Sequence, residues 1–108
     1  MSRLLFVPVA SLLLAFCAFP AAAKPAQCFT TDDGHYDCDF KGLDSAGSFT
    51  ISAPGKPTLT LEVSEPGVAF GYGDFGSGNT PLPGQYIRAS DDGACWDNSD
   101  TSTRICAW

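Results

Sequence analysis

The sequence predicts an all-β fold: a small disulfide-stapled β-sandwich or barrel of about seven to eight short antiparallel strands. Three observations lead there. Apolar residues recur with period two rather than with helical spacing, turn dipeptides recur between those runs, and four of the five cysteines lie in the stretch that shows the pattern.

The first residues read as an address rather than as part of the fold. Met1-Ser2-Arg3 supplies one positive charge, an apolar run follows over residues 4–19, and Pro20-Ala21-Ala22-Ala23 offers small residues of the A-x-A type. These are the three parts of a cleavable secretory signal. The apolar run contains Pro8 and Ser11 and is shorter than the roughly 20 residues a membrane span requires. The expected division is therefore a signal peptide over residues 1–23 and one secreted β-domain over residues 24–108. The mature chain has no expected membrane span, and its destination is periplasmic or extracellular. Cys17 follows Leu14-Ala15-Phe16, which has the outline of a lipidation site. Bulky Phe16 stands where a small residue is needed, so Cys17 reads as part of the discarded leader.

Charge narrows the partners. The chain carries 6 basic against 12 acidic residues, a formal charge of −6, and loss of Arg3 makes the remainder one unit more negative. That argues against nucleic acid and anionic membranes, both of which need a positive surface. A domain this short buries little apolar area for its entropy cost, so covalent staples are expected. Cys28, Cys38, Cys95 and Cys106 form the even set that an oxidising compartment would pair.

Turn chemistry selects the pairing. Asp32-Asp33-Gly34 suits a three-residue hairpin loop with Gly34 left-handed. Thr31 then faces His35, Phe29 faces Asp37, and Cys28 falls directly opposite Cys38. The polar stretch from Asn98 to Thr103, centred on Asp100-Thr101, places Cys95 opposite Cys106 and Trp96 opposite Ile105, although no glycine marks that turn. The expected bonds are Cys28–Cys38 and Cys95–Cys106. The nested alternative, Cys28–Cys106 with Cys38–Cys95, would tie the termini together. Structural zinc wants more closely spaced cysteines or histidines, and no Cys-x-x-Cys redox motif occurs. No cofactor or metal is expected.

Between the cysteine pairs the alternation continues. Tyr36, Cys38 and Phe40 alternate with Asp37, Asp39 and Lys41. Phe49 and Ile51 follow a polar link at residues 42–48, and Leu59, Leu61 and Val63 alternate with Thr60, Glu62 and Ser64. Val68, Phe70 and Tyr72 share one face, and Gly67, Ala69, Gly71 and Gly73 the other. Pro54-Gly55, Pro66-Gly67, Pro83-Gly84 and Asp92-Gly93 mark turns. Tyr36, Phe40, Phe49, Phe70 and Trp96 are expected in the core.

Chemistry-bearing residues are sparse. The one histidine, His35, sits beside a hairpin turn, where side chains are normally solvated. A Ser-His-Asp arrangement or a small hydrolase therefore ranks third, behind a binding domain and a hydrolase inhibitor and ahead of a structural envelope component. Asp32, Asp33, Asp37 and Asp39 are candidate calcium ligands by type. Their plainer reading is a charged outer face that keeps strands from associating. Glycines spaced along one strand face let a ring, a backbone or a ligand approach closely. The long Gly/Pro stretch after that strand carries Phe75 and Leu82, and long loops on small scaffolds are often functional. The candidate binding residues are Phe29, Tyr72, Asp74, Phe75, Leu82 and Trp108, with Phe29 and Trp108 expected as exposed rings.

Tyr36-Asp37-Cys38, followed by alternating strands, resembles the opening of the C-type lysozyme inhibitors, which are small disulfide-bonded β-barrels. The resemblance covers a handful of residues and implies an inhibitor of an exported hydrolase. The serine- and tyrosine-bearing loop of that family is not matched between Pro66 and Phe75, so the chain is not assigned to it. The leading expectation is a non-enzymatic binding domain with a protein or glycan partner.

Overall fold

The computed structural model describes residues 23–108. The expected leader lies, apart from Ala23, outside the described residues, and so does Cys17. Nine strands follow: β1 (Lys24–Thr30), β2 (Gly34–Gly42), β3 (Phe49–Ser52), β4 (Thr58–Glu65), β5 (Val68–Asp74), β6 (Asn79–Pro81), β7 (Tyr86–Arg88), β8 (Cys95–Asn98) and β9 (Thr103–Ala107). Each neighbouring pair is antiparallel, and β1–β2–β3–β4–β5–β7–β8–β9 closes on itself through β9–β1. The architecture is thus an eight-stranded closed barrel rather than a sandwich, and β6 is an extra strand on the second half of β5. Closure leaves no open sheet edge around the ring. Among the described residues, no helix is long and apolar enough to cross a membrane.

Alternation sets the inner face. Cys28, Cys38, Phe49, Ile51, Leu59, Leu61, Tyr86, Trp96 and Ile105 form the buried core. Outward Thr50 and Thr60 face each other across β3 and β4 at 3.2 Å. Between β2 and β3, Asp44 Oδ1 accepts the Ala46 and Ser48 amides, both at 3.0 Å. Buried Ser48 then accepts the Val63 amide at 2.8 Å, beside the register shift in β4.

Both expected disulfides are present, Cys28–Cys38 and Cys95–Cys106. They lie on opposite faces of the wall. Cys28–Cys38 belongs to the interior, whereas Cys95–Cys106 forms an outer cluster with Ala89, against which Phe29 packs. Two such bonds are compatible with an oxidising environment.

The first hairpin departs from its expected register. Thr30, not Thr31, closes the loop opposite Gly34, so Cys28 faces Tyr36 and Cys38 faces Ala26. Gly34 does take the left-handed conformation, at φ 72°, but as the first residue of β2 rather than inside the loop. The disulfide therefore runs diagonally across the pair, with the Cα atoms 5.9 Å apart. A slip of two residues preserves which face each side chain occupies, so the expected inner face survives the correction. Phe29 now faces His35 instead of Asp37, and it is partly buried rather than exposed. In the second hairpin Cys95 faces Cys106 and Trp96 faces Ile105 as expected. Ser102, at φ 55°, takes the left-handed position that a glycine would fill elsewhere.

Phe70 is the second correction. It is 41% exposed and lies outside the core. The inward face of β5 is instead Ala69, Gly71 and Gly73, because side chains from later in the chain fill the space above the glycines. A Cβ at Gly71 would stand 2.6 Å from Tyr86 Cε1 and 3.1 Å from Leu82 Cδ1. One at Gly73 would stand 2.6 Å from Phe75 Cε2.

Candidate functional site

The side chains seated on β5 floor a cavity at one mouth of the barrel. Its volume is about 280 Å³, and Leu59, Phe75, Leu82, Tyr86 and Ile105 supply its apolar surface. Concave sites in barrel mouths with a few polar groups at the rim are the usual form of a ligand pocket.

Local hydrogen bonding places each wall. Asp74 ends β5 and turns its carboxylate back onto the next loop, where Oδ1 accepts the Gly76 amide at 2.8 Å and the Gly78 amide at 3.3 Å. Gly76 and Gly78 have φ of 111° and 105°, a region that L side chains rarely adopt. This tight loop holds the Phe75 ring above Gly73, with 64% of the residue exposed. Leu82 is fixed through its amide, which donates to Gly71 O at 2.8 Å. Fully buried Asn98 joins the neighbouring loop to the β8–β9 turn. Its Nδ2 donates to Pro83 O at 2.7 Å, while Oδ1 accepts the Asp100 amide at 3.0 Å.

The opposite rim comes from the first hairpin turn, the β8–β9 turn and the start of β9. Thr30, Thr31, Asp32, Asp33, Thr101 and Thr103 bring hydroxyls and carboxylates to the opening. Thr31 is tied across the seam, its Oγ1 accepting the Arg104 amide at 2.8 Å. The Arg104 guanidinium is engaged by two carboxylates, Asp97 at 2.6 Å and Asp91 at 2.9 Å. Those bonds raise its pKa further above the ordinary arginine value, Asp97 contributing first, and hold the Asp91 carboxyl below its usual range. Lys56 lies 3.8 Å from Asp33 and over the Tyr36 ring. Burial, and then the Asp33 charge, pushes the Tyr36 hydroxyl upward.

The structure separates the six candidate binding residues into three places. Phe75 and Leu82 line the mouth, and Asp74 holds the loop that carries Phe75. Tyr72 lies on the outer wall between Thr60 and Pro81. Phe29 and Trp108 lie on the opposite wall, where His35 sits between them, 5.0 Å from Phe29 and stacked on Trp108 at 5.7 Å. Trp108 is exposed as expected, and its Nε1 donates to Asp92 at 2.9 Å. His35 is thus held in an aromatic stack away from the mouth. The four aspartates considered as calcium ligands do not converge: among the described residues, no three His, Cys, Asp or Glu side chains gather around one point.

Leu59, Tyr86, Ile105 and Arg104 belong to the mouth without having been singled out. The first three lie in strands and read as ordinary core, since alternation says which face a residue takes but not which end of the barrel is open.

Fold and site together define a closed eight-stranded barrel with an apolar pocket in one mouth. Comparison with protein-family models, curated proteins and solved structures finds no match to this chain.

Proposed function

We infer that the protein is an exported, non-catalytic binding domain that receives one unit of a glycan in the mouth of its barrel. The observation that carries this reading is the pairing of the exposed Phe75 ring and apolar floor with a rim of threonine hydroxyls and aspartate carboxylates. A sugar ring has the complementary halves, a C–H face that stacks on an aromatic and an edge of hydroxyls that needs donors and acceptors. His35, engaged on the outer wall, supports a non-catalytic role for this opening.

Calorimetric titration with soluble oligosaccharides of glucose, mannose and N-acetylglucosamine tests the reading. At least one series should bind, and Phe75→Ala should weaken it about fivefold to tenfold with an unchanged melting curve. Absence of heat across the panel, or binding indifferent to Phe75→Ala, would reject it. A second reading, inhibition of an exported hydrolase such as lysozyme, is favoured by the acidic balance of the chain, which complements a basic enzyme. It requires that lysozyme turnover fall at stoichiometric concentration.

A further inference from the structure

β5 is inverted relative to a barrel strand whose bulky apolar residues face the core. It turns Ala69, Gly71 and Gly73 inward and Val68, Phe70 and Tyr72 outward. Two further strands extend the outer strip. Ile87 of β7 stands directly opposite Val68, and Pro81 of β6 directly opposite Tyr72. Phe70 and Ile87 keep 41% and 48% of their surface exposed. The core takes nothing from these side chains, because Tyr86, Leu82 and Phe75 already fill the space above the glycines and leave them outside. A contiguous apolar strip on an otherwise acidic surface is the form an interaction site takes.

We propose that this strip docks a protein partner whose matching surface sets an aromatic or aliphatic side chain among lysines and arginines. The flanking charge selects that chemistry. On β4, exposed Glu62 stands opposite Phe70 and exposed Glu65 opposite Val68. Neither takes part in an ion pair among the described residues. On the other flank Asp97 faces Ile87 and shares Arg104 with Asp91. Arg88, next to Ile87 in β7, turns its guanidinium over the Trp96 ring at 4.3 Å and donates to Gly93 O. A second copy of this chain would set like carboxylates against each other, with a formal charge of −6 on each. A basic partner gains from an apolar centre and a charged rim together. The strip lies on the outer wall and the glycan pocket in the mouth, so each stands without the other.

Selection from a phage-displayed library of random peptides on the immobilised whole domain tests the proposal. Enriched peptides should combine Lys or Arg with aromatic or aliphatic residues. They should lose about tenfold or more in affinity on Phe70→Ser/Ile87→Ser. Glu62→Gln/Glu65→Gln, which leaves the apolar centre intact, should weaken binding and flatten its salt dependence, whereas Phe75→Ala should leave it unchanged. Three outcomes would overturn the proposal: no enrichment, enrichment without basic residues, or peptides that bind the Phe70/Ile87 variant as well as the unaltered domain. A dimer in sedimentation that Phe70→Ser/Ile87→Ser converts to a monomer would overturn it too, assigning the strip to a second copy.

Discussion

The ring of Tyr86 occupies the space that a side chain at Gly71 would need, so an added Cβ would stand 2.6 Å from Tyr86 Cε1. Tyr86 is 4% exposed, and Leu82 Cδ1 presses on the same point from 3.1 Å. Both neighbours would have to shift together toward the mouth, and the nearly enclosed Tyr86 would have to leave its place in the core. Gly71→Ala should therefore lower stability by about 1–3 kcal/mol, the usual cost of overpacking a filled core. Urea denaturation checks this, and a midpoint equal to the unaltered protein would show that the ring is mobile.

Gly73→Ala meets a neighbour of a different kind. The added methyl would stand 2.6 Å from Phe75 Cε2 and 2.7 Å from its Cζ. Those atoms are the far end of a side chain that is 64% exposed, so the ring can swing outward into solvent. Stability should change by less than about 1 kcal/mol, while ligand affinity at the mouth falls as it does in Phe75→Ala. Denaturation and calorimetry on the one variant separate the two quantities. A large stability loss with intact affinity would contradict the geometry.

The same two glycines explain how far the residues could be read in order. The inner faces of β2, β3 and β4 were legible because each depends on alternation within one strand, as with Tyr36, Cys38 and Phe40. The pairing of Cys95 with Cys106 was legible because it depends on one local turn. In the first hairpin the left-handed Gly34 was foreseen, yet it opens β2 instead of ending the loop. Both placements use the same glycine chemistry and keep the same faces, so the pattern could not separate them. β5 failed for a longer-range reason. Alternating aromatics and glycines permit either face inward, and the choice was made by Leu82 and Tyr86, which arrive after two turns and an extra strand. The mouth was half visible for the same cause: Phe75 and Leu82 stand out in a loop, whereas Leu59 and Ile105 join them only once the barrel closes.

The two disulfides should differ in what their removal costs. Each closes a short loop, with separations of 10 and 11 residues, so the chain-entropy contribution is about 2.5–3 kcal/mol for either. Cys28–Cys38 also fills the barrel interior, whereas Cys95–Cys106 lies on the outer wall beneath Phe29. Cys28→Ala/Cys38→Ala should therefore lose about 1–2 kcal/mol more than Cys95→Ala/Cys106→Ala, through the cavity it leaves. Paired urea curves give the difference directly, and equal losses would mean that the outer cluster contributes as much packing as the core.

Acid should release Trp108 before it unfolds the core. Asp92 accepts the Ala94 amide and the Trp108 indole N–H, both at 2.9 Å. These bonds, that from Ala94 first, hold its carboxyl below the ordinary aspartate value. A carboxyl whose folded pKa lies below its unfolded value of about 3.9 contributes stability that is complete above that pH. The contribution is lost as pH falls through the lower, folded value. The indole should therefore stay tethered from neutral pH down to about 4 and be freed below it. Acrylamide quenching isolates the event, since Trp108 is 51% exposed and Trp96 only 2%. Quenching should step upward below about pH 4 in the unaltered protein. In Asp92→Ala it should already be raised at neutral pH, with no further step. An identical acid transition in both proteins would show that the carboxylate does not hold the ring.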